Sequence, residues 1–284
     1  MNSRLLVIVA ALALGSCASH TWSPARPSPS PAAATEPSRR HENLNAVAWV
    51  QTAVEYRAST EQAYRLATLQ LDAALKDPSW TAAIEQNADA SKLPPAVVLD
   101  IDETVLDTSA FQARGVRDNS TYSEEAWQRW VAEAGASAVP GAKDFTQYAA
   151  QKGVAVFYIS NRMAVIEAPT RTNLQALGFP LDARVDTVLS RGERPEWAAS
   201  GKGPRREFVA ANYRILLLVG DDLGDFVVNA SGTVEERLAR AAGNDHWWGR
   251  RWIMIPNPTY GSWERALIGS SQDPLAAKRA ALRY

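Results

Sequence analysis

The sequence predicts an α/β fold: a Rossmann-like parallel sheet flanked by helices, with a small, mainly helical accessory or cap region. Three observations predict it. Apolar runs of strand length recur at Ala96–Ile101, Val154–Ser160, Val185–Leu189, Arg214–Gly220 and Trp252–Pro256. Helix-like stretches separate most of them, at Ser123–Ala134, Ala142–Gln151, Met163–Leu177, Pro204–Asn212 and Val234–Ala242. Continuous apolar strands alternating with helices fit a parallel sheet covered on both faces. Polar residues collect just after the strand runs, where open α/β sheets bind their ligands.

A chain of 284 residues holds one sizeable core and a small accessory region. Its formal charge of −1 gives no basic field, so no nucleic-acid partner is expected. Cys17 is the only cysteine, which excludes intramolecular disulfides, a cysteine metal site and a cysteine nucleophile in the folded body. The histidines are His20, His41 and His246, and the first two lie in or beside the leader and tether. That distribution argues against a histidine nucleophile or a histidine-rich zinc site.

Taken in order, residues 1–16 read as a signal peptide. Arg4 supplies the positive end, and Leu5–Leu14 form an apolar run too short to span a bilayer comfortably. Leu14-Gly15-Ser16-Cys17 resembles a bacterial lipoprotein box, in which Cys17 is lipidated and becomes the new N-terminus. Acyl chains there would anchor the protein to a membrane of the cell envelope. Ala18, rather than Asp, looks like an outer-membrane address; an ordinary signal peptide with an incidental cysteine is the alternative. Residues 17–43 carry the lipidated end and a tether rich in Pro, Ser and Ala, with too little apolar surface to fold.

Residues 44–284 form the folded domain. Residues 44–92 are its N-terminal helical region, with a helical pattern from Leu44 to about Ala90 and Pro78 as a plausible stop. Residues 93–270 hold the α/β core with a helical insert at about 110–140, and 271–284 a C-terminal helix or tail.

The chemistry lies at the strand ends. The first strand runs into Asp100-Ile101-Asp102-Glu103-Thr104, the second into Ser160-Asn161-Arg162, and the fourth into Gly220-Asp221-Asp222-Leu223-Gly224-Asp225. Lys202 precedes that fourth strand and is the only lysine between Lys152 and Lys278. Carboxylates converging in a crevice raise one another's pKa values. A divalent cation reverses this, and a donor set of hard oxygens without His or Cys suits Mg²⁺. A bound phosphate would be balanced by the cation, Lys202, backbone N–H groups and the Ser160 hydroxyl. Asp100 can then attack phosphorus to give an aspartyl-phosphate, while Asp102 moves protons as general acid and base. Asp-x-Asp alone is a weak signal, often a turn or helix cap. Asp-x-Asp-x-Thr after an apolar strand, followed in chain order by Ser, Lys and Gly-Asp-Asp-x-x-Asp, is a strong one.

These motifs resemble the haloacid dehalogenase superfamily of phosphohydrolases. VVLDIDETVLDTS, WQRWVAEAGASAVPGA, VFYISNR, VGDDLGDF and IPNPTYGSWE further resemble the class C acid phosphatases, bacterial outer-membrane lipoproteins with 5′-nucleotidase activity. The resemblance runs from about Leu44 nearly to the C-terminus. It implies a haloacid dehalogenase-like core, Asp100 as nucleophile and Asp102 as acid/base. It implies phosphate binding by Ser160 and Lys202, and metal binding by Asp100, Asp221 and the backbone carbonyl of Asp102, with Asp225 a further acid. Thr104 would steady the turn between the two aspartates. Trp127 and Tyr260 match an aromatic pair that holds the nucleobase. Trp130, three residues from Trp127, would share its helix face, and either tryptophan can instead be core. Asn161 and Arg162 can orient substrate, or Arg162 can serve a structural ion pair. Asp222 either supports the metal ligands from behind or belongs to a turn. The sequence departs from the family at Gly224, often an acid there, and around Gly201–Arg206, where Pro204 is unusual.

The expected activity is Mg²⁺-dependent hydrolysis of phosphate monoesters, most of all nucleoside 5′-monophosphates. Nicotinamide mononucleotide is as plausible as AMP, because stacking holds any ring. The alternatives are a broad periplasmic sugar-phosphate or cofactor phosphomonoesterase, and a non-catalytic ligand-binding surface lipoprotein.

Overall fold

The computed structural model describes residues 41–86 and 89–284. The predicted signal peptide, Cys17, His20 and the tether through residue 40 lie outside the described residues. Two helices open the chain, α1 (Leu44–Thr52) and α2 (Val54–Lys76). Then come β1 (Pro95–Leu99), β2 (Leu106–Asp107), α3 (Ser109–Asp118), α4 (Glu124–Ala132), β3 (Ser137–Ala138), α5 (Ala142–Gln151), β4 (Ala155–Met163) and α6 (Glu167–Leu177). The remainder is β5 (Val188–Arg191), α7 (Gly203–Ala210), β6 (Arg214–Gly220), α8 (Val234–Ala242), β7 (Trp252–Met254), α9 (Ser262–Ile268) and α10 (Pro274–Ala280).

The main sheet has five parallel strands in the order β5-β4-β1-β6-β7. The chain moves outward from β1 through β4 to β5, then returns to β6 on the other side of β1. This reversal places a crevice beyond the carboxyl ends of β1 and its neighbours. The short β2–β3 ladder is antiparallel and brackets α3 and α4, the two helices of the insert.

Side chains alternate across the sheet as the pleat requires. Val97 and Leu99 of β1, with Val156 and Tyr158 of β4, pack against Tyr64, Ala67 and Leu71 of α2 and Phe145 of α5. Ala96, Val98, Phe157 and Ile159 face the other way, toward Val209 of α7, Trp197, Phe226 and Trp252. Burial on both faces explains why these strands read as unbroken apolar runs, and each buried Leu or Val contributes roughly 1.5–3 kcal/mol.

Local signals set the helix ends. The Ser123 hydroxyl accepts the Ala126 N–H at 3.2 Å, and Glu124 and Glu125 fill the positive first turn of α4. Thr233 and Glu236 form a reciprocal capping box on α8.

Four boundaries depart from the expectation by several residues. The N-terminal helical pattern does not continue to Ala90: α2 stops at Lys76, before Pro78. The segment after it finds partners on β6 instead of in a helix, with the Trp80 indole donating to Leu216 O at 2.8 Å and Ala82 N to Ile215 O at 2.8 Å. β4 runs on to Met163, carrying Asn161 and Arg162, through a register slip against β5 between Ser160 and Met163. α6 therefore begins only at Glu167, after a short 3-10 turn at Ala164–Ile166. β5 starts at Val188, with Asp186 accepting the Val188 N–H at 3.2 Å ahead of it.

Candidate active site

Asp100 follows the last residue of β1, and its N–H still donates to Val219 O of β6 at 3.0 Å. The paired strands thus hold its backbone rigidly while its carboxylate enters the crevice. It is 9% exposed. The chain then turns sharply. Ile101 O accepts N–H groups from Thr104, Val105 and Leu106, and Glu103 takes a left-handed φ of 58°. A buried glutamate rarely adopts that conformation, so the turn is strained and held by tertiary contacts. Thr108 donates to Glu103 through its hydroxyl and its N–H, and the Tyr260 hydroxyl also donates to Glu103. Burial pushes the Glu103 carboxyl up to about 8, helped by the charge of Asp102 and opposed by those hydrogen bonds. The Tyr64 hydroxyl, from α2, closes the turn by donating to Thr104 O at 2.6 Å.

The two aspartates of the motif face different partners. Asp102 accepts from Arg162 at 2.7 Å through Nη2, and from Nε at 3.1 Å. Arg162 is buried, donates to Thr170 at 3.0 Å through Nη1, and sits 5.3 Å from the Trp127 ring centroid. Asp100 instead accepts from Lys202 Nζ, which also reaches Asp225 Oδ1 at 2.6 Å. Lys202 caps the N-terminal end of α7, and Pro204, in the first turn, pre-sets the helical φ. Pro204 therefore leaves Lys202 aimed at the crevice.

β6 supplies the third group. Asp221 accepts from Thr104 Oγ1 at 3.2 Å and from Asn257 Nδ2 at 2.8 Å. Asp225 folds back under the strand end: its Oδ2 accepts the N–H groups of Asp221 at 3.1 Å and Asp222 at 2.9 Å. Only glycine permits this approach, because a Cβ on Gly220 would collide with the Asp225 carboxylate. Asp222 turns away from the cluster. It accepts from Gly224 N at 2.9 Å and Ser262 N at 2.6 Å, tying this loop to α9. Burial pushes its carboxyl up, but the Ser262 and Gly224 hydrogen bonds outweigh that and hold it below the usual carboxylate range.

Asp100, Asp221 and Asp225 can each offer an oxygen within 4.8 Å of the others. Burial pushes Asp100 up to about 7, against the opposing charge of Lys202. Asp221 is pushed well up by burial and by the charges of Asp100, Asp225 and Glu103. For Lys202 burial works downward, but the Asp100 and Asp225 carboxylates outweigh it and push the ammonium up to about 12. Hard oxygen donors, mutually repelling and served by one ammonium, fit a divalent cation. This geometry separates the acids. Asp225 has both oxygens engaged with Lys202 and backbone N–H groups, whereas the Asp102 carboxylate is turned to Arg162.

Ser160 is fully buried at the end of the apolar part of β4. Its Oγ accepts the Arg162 N–H at 3.0 Å, which leaves its own proton for another acceptor. Arg205 of α7 donates to Ser160 O and, at 2.7 Å, to Asn161 Oδ1. Trp127 and Trp130 stack on each other with centroids 5.3 Å apart, both buried in the core beside Phe111. Trp130 is enclosed by that packing. Trp127 approaches the site through Arg162.

Known proteins share the sequence pattern and the fold that carry these strand-end acids. The family model described as HAD superfamily, subfamily IIIB (Acid phosphatase) matches residues 3–263. The chain belongs to this acid phosphatase family. The structure of the class C acid phosphatase from Bacillus anthracis is similar, with 33% identity, 87% of this chain and 98% of that chain covered, and a TM-score of 0.74. The same enzyme with tungstate bound matches at 33% identity, 86% and 98% coverage, and a TM-score of 0.74. The protein is accordingly a phosphoric monoester hydrolase with a haloacid dehalogenase-like fold, as the strand-end motifs led us to expect.

Several residues of this acid phosphatase's site carry little signal in the sequence. Asn257 follows β7 and donates to Asp221 at 2.8 Å; it lies within IPNPTYGSWE, where the resemblance singles out only Tyr260. Glu103 lies inside the Asp-x-Asp-x-Thr motif, at a position the motif leaves open, yet it is buried. Arg205 and Arg206 carry no signal of a site role in the sequence, yet both are fully buried.

Proposed function

We propose that the protein hydrolyses nucleoside 5′-monophosphates with Mg²⁺, through an aspartyl-phosphate on Asp100. The observation that carries this reading is the division of labour between the two motif aspartates. Asp100 faces Lys202 and the acid cluster, while Asp102 is held 2.7 Å from Arg162 on the other side of the turn. A Mg²⁺ held by Asp100 and Asp221, the Asp102 backbone carbonyl and the nearby Asp225 would neutralise these acids and the entering phosphate. Ser160 and Lys202 grip the phosphate oxygens, with Asn161 at the same edge. Asp100 then attacks phosphorus in line with the leaving oxygen. Asp102, aimed by Arg162, gives that oxygen its proton, then takes one from the water that cleaves the acyl phosphate. Tungstate, found with the Bacillus anthracis enzyme, is a tetrahedral oxyanion like phosphate.

The nucleotide preference rests on aromatic groups flanking Asp102. Trp127 touches Arg162, which binds Asp102, and Tyr260 hydrogen-bonds Glu103, the next residue. Rings held next to the partners of the proton-transfer group suit a leaving nucleoside with a flat base, from AMP or nicotinamide mononucleotide alike. The N-terminal motif further supports export and lipidation at Cys17, with the catalytic domain tethered to the outer membrane. Turnover of AMP, an aryl phosphate and glucose phosphate, each with Mg²⁺ and with chelator, tests the reading. AMP should give the highest kcat/KM and chelator should abolish all three; equal kcat/KM for glucose phosphate would overturn the nucleotide preference.

A further inference from the structure

Arg205 differs from every other buried cation around the crevice. Lys202 pairs with Asp100 and Asp225, Arg162 with Asp102, and Arg206 with Glu85. Arg205 is fully buried, yet among the described residues no carboxylate oxygen lies within 4.0 Å of it. Its donors go to neutral oxygens of two separate segments. Nη1 bonds Ser160 O, and Nη2 bonds Asn161 Oδ1 at 2.7 Å and the carbonyls of Ser200 and Gly201 at 3.4 Å each. Its Nε is buried without a partner. Burial pushes the guanidinium down to about 10, with Asp100 the largest opposing influence, so it stays charged at neutral pH. A buried charge without a counter-ion is costly, and such a cost is tolerated where the charge serves a ligand.

The first of those segments carries Ser160 and the second runs into Lys202. These are the two groups proposed to grip phosphate, and the role of Arg205 rests on that reading. Phosphate brings negative charge to a crevice where the other buried cations are already matched. We propose that Arg205 is a positioning residue for phosphate binding, clamping the Ser160–Asn161 strand end against the 200–202 loop and setting an uncompensated positive charge behind the bound dianion. It acts through Ser160, Asn161 and Lys202, not by touching phosphorus.

The test is the inhibition constant of inorganic phosphate against aryl phosphate hydrolysis, with Mg²⁺ in excess, for Arg205→Lys, Arg205→Met, Ser160→Ala and Val209→Ala. Val209 is a buried apolar residue of the same helix and controls for general loosening. Arg205→Met should raise the phosphate Ki and the KM together by about ten- to a hundredfold, the loss of charge-assisted bonds, while the Mg²⁺ concentration for half-maximal activity stays put. Arg205→Lys keeps the charge but not the fork, and should raise Ki by a smaller factor with near-native melting. Val209→Ala should lower the melting temperature and leave Ki unchanged. If Arg205→Met does not fold, Arg205→Lys decides alone. A Ki within about twofold of wild type in folded Arg205→Lys overturns the proposal, as does a parallel rise in Mg²⁺ requirement or an equal Ki shift in Val209→Ala. An unchanged Ki in Ser160→Ala overturns the phosphate-site reading beneath it, whereas a raised Ki there with an unchanged Arg205→Lys overturns the proposal alone.

Discussion

Replacing Lys202 by Met removes the only ammonium of the acid cluster while keeping most of its volume. Lys202 Nζ bonds Asp100 and, at 2.6 Å, Asp225, and all three side chains are less than a tenth exposed. Breaking a buried pair from one side leaves uncompensated charge and costs about 3–5 kcal/mol. The low end applies here, because Asp100 already sits at about 7 and can protonate instead of remaining a bare charge. A loss of about 3 kcal/mol in a domain of this size corresponds to roughly 6–12 °C in melting temperature. The assay is thermal unfolding with chelator and with excess Mg²⁺. With chelator the variant should melt lower by that amount. Mg²⁺ should then restore more stability to the variant than to wild type, since it takes over the neutralisation Lys202 performed. An unchanged melting temperature with chelator, or identical Mg²⁺ stabilisation of both proteins, would refute the claim that Lys202 balances these acids.

Other outcomes rest on the same contacts. Arg162→Ala frees the Asp102 carboxylate, so kcat should fall by about 10²–10⁴ with a smaller change in the KM of an aryl phosphate; an effect confined to KM would count against proton transfer by Asp102. Trp127→Phe retains the core ring but shrinks the surface beside Arg162, so the KM for AMP should rise more than that for an aryl phosphate. Equal changes would make Trp127 purely structural. Leu99→Ala, in the strand that carries Asp100, should cost about 2–5 kcal/mol in denaturant unfolding, and a loss below about 1 kcal/mol would contradict its place in the core.

The sheet was legible in the sequence because parallel strands buried on both faces leave continuous apolar runs, as in Ala96–Leu99 and Ile215–Val219. The strand-end acids were legible because chemistry in such sheets collects at one edge. The features without a sequence signal depend on contacts distant in the chain. The residues after Lys76 form no helix because Trp80 and Ala82 find partners on β6, more than a hundred residues later. Arg205 and Arg206 carry no signal of a site role until α7 is packed against the ends of β4 and β6. Trp127 and Trp130 share a helix face as their spacing implies, but that face turns inward, onto Phe111 and each other.

Turnover by Asp100→Asn tests the central claim most directly. Asparagine is nearly isosteric and can still accept from Lys202, so the variant should fold with a native circular-dichroism spectrum and bind inorganic phosphate. The nucleophilic mechanism predicts no detectable release of phosphate from AMP or an aryl phosphate by this variant in excess Mg²⁺. Sustained turnover by a folded Asp100→Asn protein, verified by mass to carry asparagine, would contradict it.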